Sequence, residues 1–374
     1  MTRLPEIHVT ALGEVTPVGL TAEASCAALR AGISNKQEIG NFAVDGEEFD
    51  QQPAVGGRVP LEWVDGEPEP EIWPGHERWK LKEPPPLESI IETGTDRLAR
   101  LIAPAVADLL AHPGWPQQWP AKVGLYLGLD DNEDAESIAT LVRDLLPGTC
   151  TTVKVKLKGR AAGLGALISA ATDLASGKVG TAIVGGIDSQ IRPETLDRLE
   201  RAGQLRSASN NHGLIPGEAA GFMLLESRAA VEARSVRSLG QVLGLGAAQE
   251  PTAGTEEPSH ARGLTESVKQ AVNQARLKDG PPLVVCDLNG DRYRAIEWGL
   301  TDPRALRHLG GKVQVWHPAD CIGDCGAACG LVDLIWGLEA MNKGYAHNDR
   351  ALVWGASENG YRAAAVVGCI EGKV

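Results

Sequence analysis

The stretch from Thr151 to Asp188, TTVKVKLKGRAAGLGALISAATDLASGKVGTAIVGGID, limits the possible folds more than any other. Thr152 to Lys158 alternates apolar with charged residues, the period-two pattern of a half-buried strand. Ala161 to Leu174 places Leu164, Leu167, Ile168, Ala171 and Leu174 on one helical face, and Val179 to Val184 reads as a short apolar strand ending at Gly185 and Gly186. Strand, tight turn, helix and strand form a βαβ-like unit. Its strand-to-helix junction offers the free N–H groups and partial positive charge of a helix start. Gly159, Arg160, Ala161, Ala162 and Gly163 occupy that junction.

A chain of 374 residues can bury one large core or two fused halves. Its 44 glycines and low aromatic content suit close packing of helices on sheets in an α/β protein. A net charge of −13 argues against a nucleic-acid partner, which needs a basic surface; the largest basic patch, Lys154 to Arg160, reads as a strand face. The opening MTRLPEIHVTALG lacks the apolar region of a secretory signal, and no run approaches the roughly 18 apolar residues of a membrane span. The expectation is a cytoplasmic protein with no membrane contact. Seven cysteines, with Cys26, Cys150, Cys286 and Cys369 in helix or strand patterns, fit reduced thiols rather than a disulfide framework.

Taken in order, residues 7–19 give a strand, a turn at Gly13 and a stop at Thr16-Pro17-Val18-Gly19. A helix follows over Thr21 to Arg30, with Thr21 as N-cap and Gly32 at C′. From Ser34 to Pro86 periodicity fails, which predicts an insert of loops and short strands anchored by Trp63, Trp73 and Trp79. A helix from Thr95 carries Leu98, Leu101, Ile102, Ala105 and Leu109 on one face and should kink at Pro104. Val123 to Leu129 is a buried strand, and Leu196 and Leu199 mark a helix before the loop that holds Gly213, Gly217, Glu218, Ala219, Ala220 and Gly221. A second half follows from Ser238: a strand, a helix over Leu264 to Leu277, strands at Leu283 to Leu288 and Val313 to Trp316, a helix over Gly326 to Met341, and two strands flanking an Asn359-Gly360 turn. Both halves repeat strand, helix, strand, helix, strand, strand, without an evident sequence repeat.

The junction at Gly159 to Gly163, the VGGID that follows, the TALGEVTPVG opening and the PGEAAG segment together resemble the β-ketoacyl synthases of the thiolase superfamily. The resemblance covers the chain apart from Ser34 to Pro86. It implies an α/β thiolase fold of five layers, αβαβα, with two similar halves and mixed sheets: residues 1–237, with an insert at 34–86, and residues 238–374. It also implies a reduced tunnel cover, since only Asp130 to Cys150 follows the strand that precedes the family's large excursion.

The same resemblance implies that the condensing residues are gone. The family's nucleophilic Cys falls on Arg160, its two His on Asn289 and Gly323, and its Lys near Pro318; its glycine-rich gatekeeper turn becomes Ser357-Glu358-Asn359-Gly360. Arg160 cannot form a thioester and is costly to bury unpaired, so a contact with Asp287, Asp291 or Asp324 is expected, filling the former acyl pocket. Cys321, Cys325 and Cys329 would share one face of a helix, with His317 and Asp320 nearby; a metal or a relocated thiol is weighed against, since the segment reads as a tight helix start where Cys serves as a small apolar residue. His8 and His212 read as structural.

The reading is therefore a catalytically inactive scaffold, binding or accessory protein with no cofactor and no metal. The alternatives are an active acyltransferase or decarboxylase with a remodelled site, and an adaptor for a bacterial secretion effector of a type VI-like locus. Expected partners are another polypeptide, with an acyl carrier protein as one candidate, and a second copy or related subunit in a homodimer or heterodimer. The Lys154, Lys156 and Lys158 stripe would oppose strand pairing across such a dimer unless Asp130, Asp131, Glu133, Asp134 and Glu136 neutralise it.

Overall fold

A computed structural model describes residues 4–45, 51–60, 95–255, 257–278 and 280–369. Its first half runs β1 (Ile7–Val15), α1 (Ala22–Ala31), β2 (Lys36–Asp45), β3 (Gln51–Gly57), α2 (Thr95–Ala111), β4 (Val123–Leu129), α3 (Ala135–Leu145), β5 (Thr152–Leu157), α4 (Ala162–Ala175), β6 (Thr181–Ser189), α5 (Pro193–Arg201), β7 (Glu218–Ser227) and α6 (Arg228–Arg234). The second runs β8 (Gly240–Gln249), α7 (Arg262–Ala275), β9 (Leu283–Cys286), α8 (Arg292–Ala305), β10 (Val315–Trp316), α9 (Cys329–Asn342), β11 (Arg350–Ala356) and β12 (Tyr361–Gly368).

Ten strands form one sheet in the order β10-β9-β11-β12-β8-β1-β7-β6-β4-β5, and β2 and β3 pair separately as a hairpin. The order obeys one rule twice. In each half the first strand lies innermost, followed outward by the fifth, fourth, second and third. β4 is parallel to β5 and β6, β9 is parallel to β10 and β11, and β7 and β12 run antiparallel to both their neighbours. The halves join where His8 and Val9 pair with Gln241 and Gly240.

Alternation along the strands separates two faces. Val9, Val184 and Met223 from the first half meet Val285, Val353 and Ala365 from the second in a core built around α4 and α9. Leu125, Leu127, Ile183 and Phe222 face α2 and α3 on one side; Val284, Leu352, Trp354 and Val366 face α7 and α8 on the other. These are the five layers of the thiolase fold.

The two central helices begin alike. Gly159-Arg160-Ala161-Ala162-Gly163-Leu164 opens α4, and Gly326-Ala327-Ala328-Cys329-Gly330-Leu331 opens α9; each starts from a glycine at positive φ, 63° and 52°, and a single 3₁₀ turn. A Cβ on Gly163 would lie 2.5 Å from Leu331 Cδ2, and one on Gly330 would lie 2.8 Å from Leu164 Cγ. Each helix thus offers a glycine to the other's leucine, which lets the pair approach closely between the sheets. Six residues interrupted by Arg-for-Ala and Ala-for-Cys exchanges are too short a repeat to stand out without the superposed turns.

Several boundaries differ from expectation. β1 passes straight through Gly13, because that glycine admits the backbone of α2, which a Cβ would meet at 2.4 Å. β6 continues past Gly185 and Gly186, pairing Ile187 and Asp188 with Ala220 and Ala219. α3, capped by Asp134, and α8, capped by Asp291, were not legible as helices; α8 contains Gly299 and Pro303. Thr21 and Gly32 cap α1 as expected, and α2 is continuous through Pro104. Within the 34–86 insert, β2, β3 and residues 58–60 are described; Trp63, Trp73 and Trp79 lie outside the described residues.

The packing of β1, α1 and α2 produces a measurable pH effect. Asp108 Oδ2 accepts the backbone N–H of Glu14 (3.0 Å) and of Ala22 (2.8 Å), and burial pushes its carboxyl pKa up to about 6. This acid holds its proton more tightly folded than unfolded, so its contribution to stability is present below pH about 4 and is lost as pH rises toward 6. Asp108→Asn should flatten the stability-against-pH curve in that window by about 1.4 kcal/mol per pH unit, as measured by denaturant unfolding.

Candidate functional site

The site forms where the starts of α4 and α9 meet the β11–β12 turn. β5 ends at Leu157, Gly159 turns the chain in the left-handed region, and Arg160 is carried inward, only 4% exposed. Its Nε donates to Asp324 Oδ2 at 2.8 Å, and its Nη1 donates to Glu358. The expected contact with an aspartate is therefore present, and Arg160 does not point to solvent.

Asp324 is held from several sides. Its Oδ2 also accepts Asn289 Nδ2, its Oδ1 accepts the Gly326 N–H at 2.8 Å, and its backbone N–H donates to Ile215 O at 2.7 Å. Glu358 Oε1 bridges onward to Arg294 Nη2 at 2.9 Å, and Arg294 Nη1 donates to Asp287 Oδ2 at 3.0 Å and to the Ala356 carbonyl. The result is one continuous chain of charges: Asp324, Arg160, Glu358, Arg294, Asp287. Beside it Arg362 Nε pairs with Glu297 Oε1 at 2.9 Å, while Nη1 donates to the Ser357 carbonyl.

Burial opposes the Arg160 charge, but the field and hydrogen bond of Asp324 outweigh it and raise the guanidinium's pKa. Burial likewise works to raise the Asp324 pKa, yet Arg160, Arg294 and the Asn289 hydrogen bond bring it below the ordinary carboxylate value. Asp333 lies deeper, and burial with the nearby Asp287 and Asp324 charges pushes its pKa well up. Burial also pushes the Cys286, Cys325 and Cys329 thiols well up, reinforced by Asp333 at Cys286 and by Asp324 at the other two. These are thiols rather than thiolates, the wrong form for a nucleophile.

Among the described residues, the side chains beside Asp324 pack closely. A cavity of about 10 Å³ lined by Asp287, Asn289, Asp324, Cys325, Cys329 and Asp333 remains, room for one water and not for an acyl chain. A larger pocket of about 560 Å³ lies outside Arg294 and Glu358.

The remaining expected residues separate into neighbours and bystanders. Gly323 has φ +76°, and a Cβ there would lie 2.6 Å from Pro216 O, so this backbone admits no imidazole. Of the three candidate aspartates, Asp324 touches Arg160, Asp287 reaches it only through Arg294 and Glu358, and Asp291 instead caps α8, its Oδ1 accepting the Tyr293 N–H at 2.7 Å. Cys321, Cys325 and Cys329 do not share a helical face: Cys321 is in the turn Ala319–Ile322, Cys325 precedes the next turn, and Cys329 starts α9, because Gly323 breaks the chain between them. His317 and Asp320 form their own pair at 3.0 Å, Pro318 precedes that turn, and Asn359 Oδ1 accepts the Tyr361 N–H within the hairpin turn. His8 contacts Ser238 at the junction of the halves, and His212 lines the larger pocket. Among the described residues, no group of three or more His, Cys, Asp or Glu is arranged to hold a metal ion.

Of the lysine stripe, Lys154 has a carboxylate partner, and it is not one of the expected acidic residues. Lys154 pairs with Asp173 at 2.8 Å and Lys158 lies over the Tyr361 ring, whereas Glu133 pairs with Arg192 and Asp134 caps α3. Sequence reading missed Arg294, Glu297 and Arg362. The available signal was Asp291, Arg294 and Glu297, spaced three apart as on one helical face.

The family model Beta-ketoacyl synthase, N-terminal domain, matches residues 159–230, which begin at this junction. No curated protein matches the sequence. Among solved structures, the ishigamide ketosynthase/chain length factor superposes with a TM-score of 0.75 at 18% identity, covering 99% of this chain and 100% of that one. A type II PKS acyl-carrier protein in complex with its ketosynthase bound to the hexaketide gives 0.77 at 14% identity, covering 98% and 100%; a β-ketoacyl synthase from Burkholderia phymatum gives 0.74 at 14%, covering 98% and 100%. The matched segment and these superpositions give the chain a ketosynthase-like, thiolase-type fold.

Removing one member of a buried pair leaves the other charge uncompensated. Arg160→Met should lower stability by about 3–5 kcal/mol at neutral pH. The loss should shrink at acid pH, where the stranded Asp324 takes up a proton; chemical unfolding at the two pH values checks both.

Proposed function

We propose that this chain is a catalytically inactive ketosynthase-like protein that serves as a binding, scaffold or accessory component. The observation that carries the reading is the ion-pair chain Asp324–Arg160–Glu358 at the helix start. Condensation needs a thiolate to hold the acyl group and donors to stabilise developing negative charge. Here an arginine already neutralised by carboxylates stands at the junction, the neighbouring thiols favour their protonated form, and the cavity beside Asp324 holds about 10 Å³.

The partner is a polypeptide. The similar structures include a ketosynthase/chain length factor and a ketosynthase with its acyl-carrier protein, so a related subunit and a carrier protein are the first to try. Strand β5 ends the sheet, with Val153 exposed and Lys154 drawn back to Asp173, which favours this edge as the contact with a second copy or related subunit. Residues 1–237 and 238–374 would act as one body, and a cytoplasmic setting suits the seven unpaired cysteines.

The test is intact mass after incubation with acetyl and malonyl thioesters on acyl carrier protein and on coenzyme A, with CO₂ release followed in parallel. The expected result is no adduct and release equal to a carrier-only control. An acyl adduct on any cysteine, or release above the control, overturns the reading in favour of an acyltransferase or decarboxylase with a remodelled site.

A further inference from the structure

We propose that the 560 Å³ pocket beside Arg294 is an oxyanion site, in which a small carboxylate or phosphate takes the place of Glu358. The inference goes beyond the scaffold reading and holds whether or not the chain turns over thioesters.

Glu358 is the loosely held member of the network. Its side chain is 42% exposed at the tip of the 357–360 turn, whereas those of Arg160 and Arg294 are each 5% exposed. One oxygen, Oε1, receives both guanidinium groups. An exposed carboxylate contributes little to holding such a contact, while the two guanidinium groups, each paired with one aspartate, both direct a further donor to that point.

The surroundings contain more donors than Glu358 satisfies. Tyr293 Oη, Arg294 Nε and Arg160 Nη2 are buried atoms without a hydrogen-bond partner; Asp291 Oδ2 stands 3.9 Å from Arg294 Nε, beyond hydrogen-bond distance. Tyr293 and Arg294 line the pocket, and Arg160 lies behind Glu358. The acidic residues lining the same space are otherwise engaged, Glu297 by Arg362 and Asp291 by the Tyr293 N–H. A free carboxylate or phosphate can turn to present two or more oxygens to these donors, whereas Glu358, tethered to its turn, meets both guanidinium groups with Oε1 alone; guanidinium groups bind such ligands by paired hydrogen bonds.

The experiment titrates phosphate, acetate and malonate, at constant ionic strength with chloride as control, into the wild type, Glu358→Ala and Tyr293→Phe, and reads binding by calorimetry. If Glu358 occupies the site most of the time, its removal should tighten anion binding about tenfold, since apparent affinity scales with the open fraction. Tyr293→Phe should weaken binding about fivefold by removing a donor. Preference for malonate or acetate identifies a carboxylate ligand, and preference for phosphate a phosphate ester; either supports the site. No saturation of Glu358→Ala up to about 10 mM, or equal affinities in wild type and Glu358→Ala, overturns it. Should Glu358→Ala fail to fold, the wild type decides: phosphate or malonate raises its melting temperature above an equal ionic strength of chloride if the site exists, and does not if it is absent.

Discussion

The contact between Arg160 and Asp324 is the constraint around which the centre of the molecule is arranged. A cation at a helix start is placed against the helix dipole, whose N-terminal end favours anions. Asp324 answers both difficulties. One oxygen takes the Arg160 guanidinium at the start of α4, and the other takes the Gly326 N–H at the start of α9. A single carboxylate therefore joins the two central helices and, through them, the two halves of the sheet. Asp188 supports the same junction from β6 by accepting the Ala327 N–H at 2.8 Å.

Buried ion pairs are weak evidence for stability as such, because desolvation offsets much of their attraction, but they are strong evidence for a fixed arrangement of the groups they connect. Here they tie the β11–β12 turn, through Glu358, to the helix starts. Burial raises the pKa of the neighbouring Cys325 and Cys329 thiols, and the Asp324 charge adds to it. Only the outer end of the network, at Glu358, is open to exchange with solvent anions.

Much of the fold was legible because it rests on patterns of period two and 3.6. Thr152 to Lys158, Val123 to Leu129 and the α4 face with Leu164 and Leu167 each read correctly from residue type alone. The failures share a cause. Gly13, Gly185 and Gly186 read as stops, yet they continue their strands, and Gly13 does so to admit α2, a requirement set by a distant segment. The site was half legible: an arginine too costly to bury alone predicts an aspartate, but the choice of Asp324 over Asp291 depends on Asp291 capping α8, a helix disguised by Gly299 and Pro303. Arg294 was hidden with that helix, and Arg362, on β12, because nothing local ties it to Glu297.

The most direct measurement is a double-mutant cycle on Arg160 and Asp324, using Arg160→Met and Asp324→Asn, with stability read by denaturant unfolding at neutral pH. If this pair organises the junction, the double variant is far less damaged than the sum of the singles, with a coupling energy of about 2 kcal/mol or more. Losses that add to within about 0.5 kcal/mol would contradict the account, because they would mean that the two charges stabilise their surroundings independently.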